Sequence, residues 1–153
     1  MIRAGDNRVM RLSARVDYAL RAVIELASAG DGPVTSERIA RAQEIPPKFC
    51  ESILLQLRRG GIVFAQRGPE GGYWLARPAE QITLVEVIEV IDGPLGSPRA
   101  ALPDAPGAVQ ALQRVWTAVD ESERRILTRV TIAHVVTGML PDEVAAQLPL
   151  AAG

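Results

Sequence analysis

The sequence predicts a mostly α fold: a winged helix-turn-helix domain with a small β-hairpin wing and a long C-terminal dimerisation helix. Three observations carry this expectation. The heptapeptide Arg67-Gly68-Pro69-Glu70-Gly71-Gly72-Tyr73 sits between two short apolar runs, Ile62-Val63-Phe64-Ala65 and Tyr73-Trp74-Leu75, the pattern of a hairpin with a glycine-rich loop. Directly upstream, two helical patterns flank a turn at Gln43-Glu44-Ile45-Pro46, and the second stops at Gly60-Gly61. Downstream, Val109, Leu112, Trp116, Val119, Ile126, Val130 and Ala133 fall near a/d spacing, broken by Glu123.

Residues 1–9 read as a flexible lead-in, and Met10 is itself a candidate start. Ser13 is the N-cap of a first helix running to about Ala29, with the apolar stripe Val16, Ala19, Leu20, Val23, Ile24 and Ala27 at spacings of three and four. Gly30-Asp31-Gly32-Pro33 stops it. Thr35 or Ser36 caps a second helix to about Ala42, with Glu37 well placed in its first turn. Pro47 suits the first position of the third helix, where a missing N–H costs nothing, and Gly60 suits its end. After the hairpin, Arg77-Pro78 ends the second strand and Thr83 caps a helix from Leu84 to about Ile91. The run 93–107 holds four Pro and three Gly, too many for regular structure. The long helix starts near Ala108, Thr131 opens a short helix that packs back, and Pro141-Asp142 opens a last turn or two. The expected organisation is therefore a lead-in (1–9), a DNA-binding domain (10–92), a Pro/Gly-rich loop (93–107), and a dimerisation helix with a C-terminal packing segment (108–153).

Composition narrows the function. Apolar residues make up 48% of the chain but aromatics only 4%, so the core must be built from Leu, Val, Ile and Ala. The single cysteine, Cys50, excludes an internal disulfide, and one Cys with one His is too few for a typical zinc site; no metal or cofactor is expected. There is no apolar run of membrane length and no signal-peptide pattern, which points to a cytoplasmic protein without a membrane partner. The net charge of −1 conceals an asymmetry: residues 1–77 carry 12 basic and 8 acidic side chains, residues 78–153 carry 5 and 10. The half holding the helix-turn-helix is thus basic, as a nucleic-acid surface requires. No catalytic triad, acid pair or phosphate loop is visible, so an enzyme is disfavoured.

At 100° per residue, Phe49, Cys50, Ile53, Leu54 and Leu57 of the third helix share one arc, and Lys48, Glu51, Ser52, Leu55, Arg58 and Arg59 share the opposite one. The polar arc is the candidate reading face. The wing glycines let the backbone approach a phosphate surface, and Arg67 can point into a groove. Glu51 either accepts from a base or pairs with Lys48 or Arg58 along the helix. Cys50 reads as a small buried hydrophobe, with a redox sensor as the competing role. Strand alternation puts Trp74 opposite Tyr73 and Leu75, where it either covers an apolar edge or serves as an effector or partner contact. His134 is either packed or at the surface.

Three segments resemble the Rrf2 family of bacterial transcription regulators. MRLSARVDYALRAVIELA is similar to the family's first helix, IPPKFCESILLQLRRGGIV to its recognition helix, and RGPEGGYWLARPAEQITLVEVIEVIDGPL to its wing and the helix after it. The resemblance implies a homodimer on pseudo-palindromic double-stranded DNA, acting as a repressor. It places Glu51 and Ser52 against bases, with Pro47, Leu55 and Arg59 on the same face, Arg67 and Gly68 at the minor groove, and Ser13, Arg15 and Lys48 near phosphates. Two departures stand out. The three cysteines that hold an iron–sulfur cluster in many members are missing between Asp92 and Gly107, and the only histidine, His134, is in the wrong region to substitute. Glu44 stands where many relatives have a turn glycine, a slot that favours a left-handed backbone. Without a cluster the signal passes to a small molecule, a protein partner or the Cys50 thiol. A subunit that chiefly binds a metabolic enzyme is the alternative function.

Overall fold

The computed structural model of the 153-residue chain describes residues 12–30, 32–95 and 103–150. The 1–9 lead-in, Met10 and the middle of the Pro/Gly-rich loop lie outside the described residues. The fold is a winged helix-turn-helix extended by a long helix. In order it comprises α1 (Ala14–Ser28), α2 (Ser36–Gln43), α3 (Pro47–Arg59), β1 (Val63–Gln66), β2 (Gly72–Leu75), α4 (Leu84–Asp92), α5 (Gly107–Arg129), α6 (Ile132–Thr137) and α7 (Asp142–Ala145). A 3-10 turn at Ala79–Gln81, unforeseen in the sequence, joins β2 to α4.

Helix α1 starts where Ser13 Oγ accepts from the Val16 N–H at 3.1 Å, and it buries Val16, Ala19, Ala22, Val23 and Leu26. The two alanines carry no bulk beyond Cβ, so α2, α3, α4, α6 and β2 can all pack against this one helix. Thr35, not Ser36, caps α2 by accepting from Arg38 N–H. The turn after it passes through Glu44 in a left-handed conformation (φ 51, ψ 44), and the Ile45 N–H then donates to Ala40 O at 2.9 Å. The left-handed slot is therefore occupied by a β-carbon-bearing residue, where glycine would avoid steric strain.

Pro47 opens α3 as expected. Its end differs from the sequence reading in one respect: Gly60 is in the ordinary helical region (φ −82), and Gly61 takes the left-handed turn (φ 76). Gly60 is there for contact, because a Cβ would come within 2.6 Å of Val90 Cγ2 on α4. The hairpin pairs Val63 with Leu75, Phe64 with Trp74, Ala65 with Tyr73 and Gln66 with Gly72. Val34 adds a third short element, exchanging two 2.8 Å backbone hydrogen bonds with Tyr73. A capping box between Thr83 and Glu86 starts α4, and Arg77 braces it by donating to Glu86 Oε1 (3.2 Å) and to Gln81 O (2.9 Å).

Helix α5 runs as a lever past α4, with only Leu127 buried among its described residues. The sequence reading carries the a/d stripe through Val130 and Ala133, and the structure removes both. The chain leaves the helix at Val130 (φ −92, ψ 122), whose carbonyl accepts from Leu84 N–H at 2.9 Å. Thr131 then caps α6, and Ile132, with no exposure, enters the core beside α1. No helix among the described residues is long and apolar enough to cross a membrane. Replacing Glu44 by glycine relieves the left-handed strain, so Glu44→Gly is expected to raise unfolding stability by about 1 kcal/mol in urea titration.

Candidate nucleic-acid interface

The third helix divides as its sequence requires. Cys50, Ile53, Leu54 and Leu57 are fully buried, and Pro47, Lys48, Glu51, Ser52, Leu55, Arg58 and Arg59 are exposed. The exception is Phe49, expected on the buried arc but 47% exposed. It lies roughly 90° from the centre of that arc at 100° per residue, and it packs sideways on Tyr18 with ring centroids 6.2 Å apart. Tyr18 in turn carries the Arg21 guanidinium 5.0 Å over its ring. No ion pair from Glu51 to Lys48 or Arg58 forms among the described residues, so its carboxylate stays available on the open face.

The N-terminus of α1 borders this face. Ser13 is half-buried, and besides capping α1 its hydroxyl donates to the Asp92 carboxylate at 3.0 and 3.2 Å. Arg15 reaches across to α3, where its Nη2 donates to Ser52 Oγ at 3.2 Å and to Gln56 Oε1. Gln56 escaped the sequence reading. The signal that would have found it is its i+4 spacing from Ser52, which puts the two on one flank of the helix.

On the wing, Arg67 and Gly68 are exposed, and Gly68 adopts φ 109, a conformation that favours glycine. Gly72 has a different reason. A Cβ there would sit 2.7 Å from the backbone of Val34, so this glycine allows the hairpin to approach the Val34 segment of its own chain. Trp74 does lie opposite Tyr73 and Leu75, which both pack on the core, and it meets the exposed Phe64 edge-on at 6.2 Å. It also borders an open groove lined by Leu26, Pro33, Arg77 and Glu80.

Cys50 has no exposure, and its thiol donates to Ser36 O at 3.7 Å. Burial pushes its pKa up; the Ser36 hydrogen bond opposes this, while Glu51 and Glu37 add to it. The thiol is thus held protonated and weakly nucleophilic, which supports the packing role. His134 is half-buried, and its Nδ1 accepts from Thr131 N–H at 3.0 Å in a second capping box.

Known proteins share this fold. A family model described as Rrf2, iron-dependent transcriptional regulator, matches residues 12–138. The chain belongs to the Rrf2 family. A Mycobacterium tuberculosis relative, Rv1287, named as an HTH-type transcriptional regulator, is 46% identical over 140 residues, covering 89% of this chain and 87% of its own. The HTH-type transcriptional regulator CymR of Bacillus subtilis is 32% identical over 129 residues, 84% of this chain and 91% of its own. Its solved structure, titled the global cysteine regulator of that organism, superposes with a TM-score of 0.75 at 29% identity, covering 86% and 99% of the two chains. A solved T. potens IscR gives 0.69 at 27% identity, covering 94% and 95%. This Rrf2 chain is accordingly a DNA-binding transcriptional regulator and not an enzyme, and the enzyme-binding subunit considered from sequence is not favoured.

The family model's description brings in iron, and the donors present do not fit a thiolate-held cluster. The one thiol is sealed in the core, the one imidazole is committed to a helix cap, and no group of three or more His, Cys, Asp or Glu that could hold a metal forms among the described residues.

Proposed function

We propose that this Rrf2 chain is a cluster-free, sequence-specific repressor that binds a pseudo-palindromic operator as a homodimer. The observation that carries the reading is the exposed arc of α3, with Glu51, which forms no ion pair among the described residues, at its front and Arg67 beyond it on the wing. A major groove admits such a helix, and there Glu51 accepts from a cytosine amino group while Leu55 offers an apolar contact to a thymine methyl. Lys48 and Arg59 flank them as phosphate contacts, joined by Ser13 at the start of α1, while Pro47 fixes how the helix enters. Arg67, carried on Gly68, enters the minor groove, where a narrow A·T tract concentrates negative potential. Arg15, expected beside the phosphates, also donates to Ser52 and Gln56 of α3.

The homodimer rests on α5. Val109, Leu112 and Val115 are 37%, 50% and 53% exposed, and Trp116, Val119 and Ile126 are half-buried along one side of the helix. A second copy of the same stripe covers it and places two α3 helices on successive major grooves. A dimer seated on a promoter excludes polymerase, hence repression.

Arg67 and Glu51 are expected to fail differently. Arg67→Ala weakens binding to operator and random duplex alike and lowers the salt slope by about one unit. Glu51→Ala removes a base acceptor together with a negative charge, so it costs roughly 1–3 kcal/mol at one base position while random binding is equal or tighter. Affinity for operator, single-base variants and random duplex at several salt concentrations checks both; proportional loss in the two mutants refutes the division of labour. Val119→Glu puts an unpaired charge in the seam, and sedimentation should then show monomer. The protein purified without oxygen should be colourless and free of stoichiometric iron; visible absorbance with bound iron would overturn the cluster-free reading.

A further inference from the structure

The contact of Arg15 with α3 sets more than the position of that helix. An arginine guanidinium has only donors, so any group it touches must present an acceptor to it. Here Nη2 donates both to Ser52 Oγ and to Gln56 Oε1. The consequence for each partner follows from its own atoms. Ser52 keeps one O–H, which points away from Arg15. Gln56 gives its amide oxygen to Arg15, so its NH2 group is the part left for another partner. Neither of these donors finds an acceptor among the described residues, whereas Ser28, Thr117 and Thr128 return theirs to a carbonyl four residues back.

Resting on the operator reading above, we propose that Arg15 is a positioning residue that fixes the hydrogen-bond polarity of the recognition helix, and that Gln56 is a specificity-determining residue acting with Ser52. One flank of α3 then presents the Ser52 hydroxyl and Gln56 amide donors, with one acceptor site on each oxygen taken by Arg15, and the other presents the acceptor-only carboxylate of Glu51. In a major groove the donor flank matches base edges that accept, namely purine N7, guanine O6 and thymine O4, and the Glu51 flank matches amino groups. The two flanks lie on either side of Lys48, Leu55 and Arg59, so the helix reads these base edges in a fixed order, and the paired donors of Ser52 and Gln56 favour a purine, because guanine offers two acceptors, N7 and O6, where thymine offers only O4. Without Arg15, the Ser52 hydroxyl and the Gln56 amide can turn, and the donor flank loses its fixed sense.

The test selects bound sequences from a random duplex pool with the parent, Gln56→Leu, Gln56→Glu and Arg15→Ala proteins, after melting curves show that each is folded. The parent should enrich a purine at one position of each half-site, and 7-deaza substitution of that purine, which removes N7, should weaken binding about tenfold. Gln56→Leu and Gln56→Glu should both lose this penalty. The second variant separates reading from bracing, because a glutamate braces Arg15 at least as well as glutamine but offers the groove no donor. Arg15→Ala should also lose the penalty while keeping the parent's salt slope. A purine preference that survives both Gln56 variants overturns the inference. So does an Arg15→Ala protein whose salt slope falls by about one unit with uniform weakening, since that is the signature of a phosphate contact. If the parent itself enriches no sequence, the operator reading fails and takes this inference with it; a parent that enriches a sequence the variants keep unchanged sinks this inference alone.

Discussion

The apolar stripe of α1 is the constraint on which the rest of the structure depends. Val16, Ala19, Ala22 and Val23 have no exposure at all, and four helices and a strand pack around them. Burying a valine or leucine side chain contributes about 1.5–3 kcal/mol, so a shared stripe of this kind stabilises several elements at once. Ile53, Leu54 and Leu57 of α3 share one buried cluster with Ala19, Ala22 and Val23 of α1, and burial of that arc leaves the polar arc no direction but outward. The exposed polar arc is thus a by-product of packing, and the Arg15 contact links the outer rim of α1 to the outer rim of α3.

The second constraint closes the chain. After α5 the backbone returns to the winged domain, where Leu84 N–H donates to Val130 O and Ile132 N–H to Ile82 O at 2.9 and 2.8 Å. Ile82 and Ile132 are fully buried at this junction. Leu127 packs with Val16, Val85 and Ile88, and Arg124 meets Glu89 at 3.0 Å on the surface, a pair worth only about 0.5 kcal/mol. The base of α5 is therefore fixed by burial and backbone pairing, not by charge. A partner copy bound along α5 would transmit its placement to α3 through packed core, which is what regular operator spacing requires.

Much of this was readable in the sequence. Helix starts at Ser13, Pro47 and Thr83, the hairpin and its register face at Trp74, the left-handed slot at Glu44, and the inward and outward arcs of α3 all follow from local chemistry. Capping, proline geometry and 3.6- or 2-residue periodicity act over a few residues, so no distant partner is needed to infer them. The Rrf2 membership was legible for the same reason, since the wing segment is one continuous run.

The tertiary structure decided what depends on residues far apart in the chain. Phe49 lies at the edge of its arc, and only the position of Tyr18 sent it sideways to the surface. The a/d pattern ran on past Arg129, but the backbone bond from Leu84 to Val130 ended the helix and drew Ile132 into the core. Gly60 and Gly72 have their identities set by Val90 and Val34, which no local rule connects to them. Gln56 became a candidate reader only because Arg15, 41 residues earlier, takes its amide oxygen. The sequence by itself determined which residues could form each element and which side of it is apolar. Tertiary packing decided which polar groups are spent on one another and which stay free, because hydrogen bonds and close contacts are satisfied in space and not along the chain.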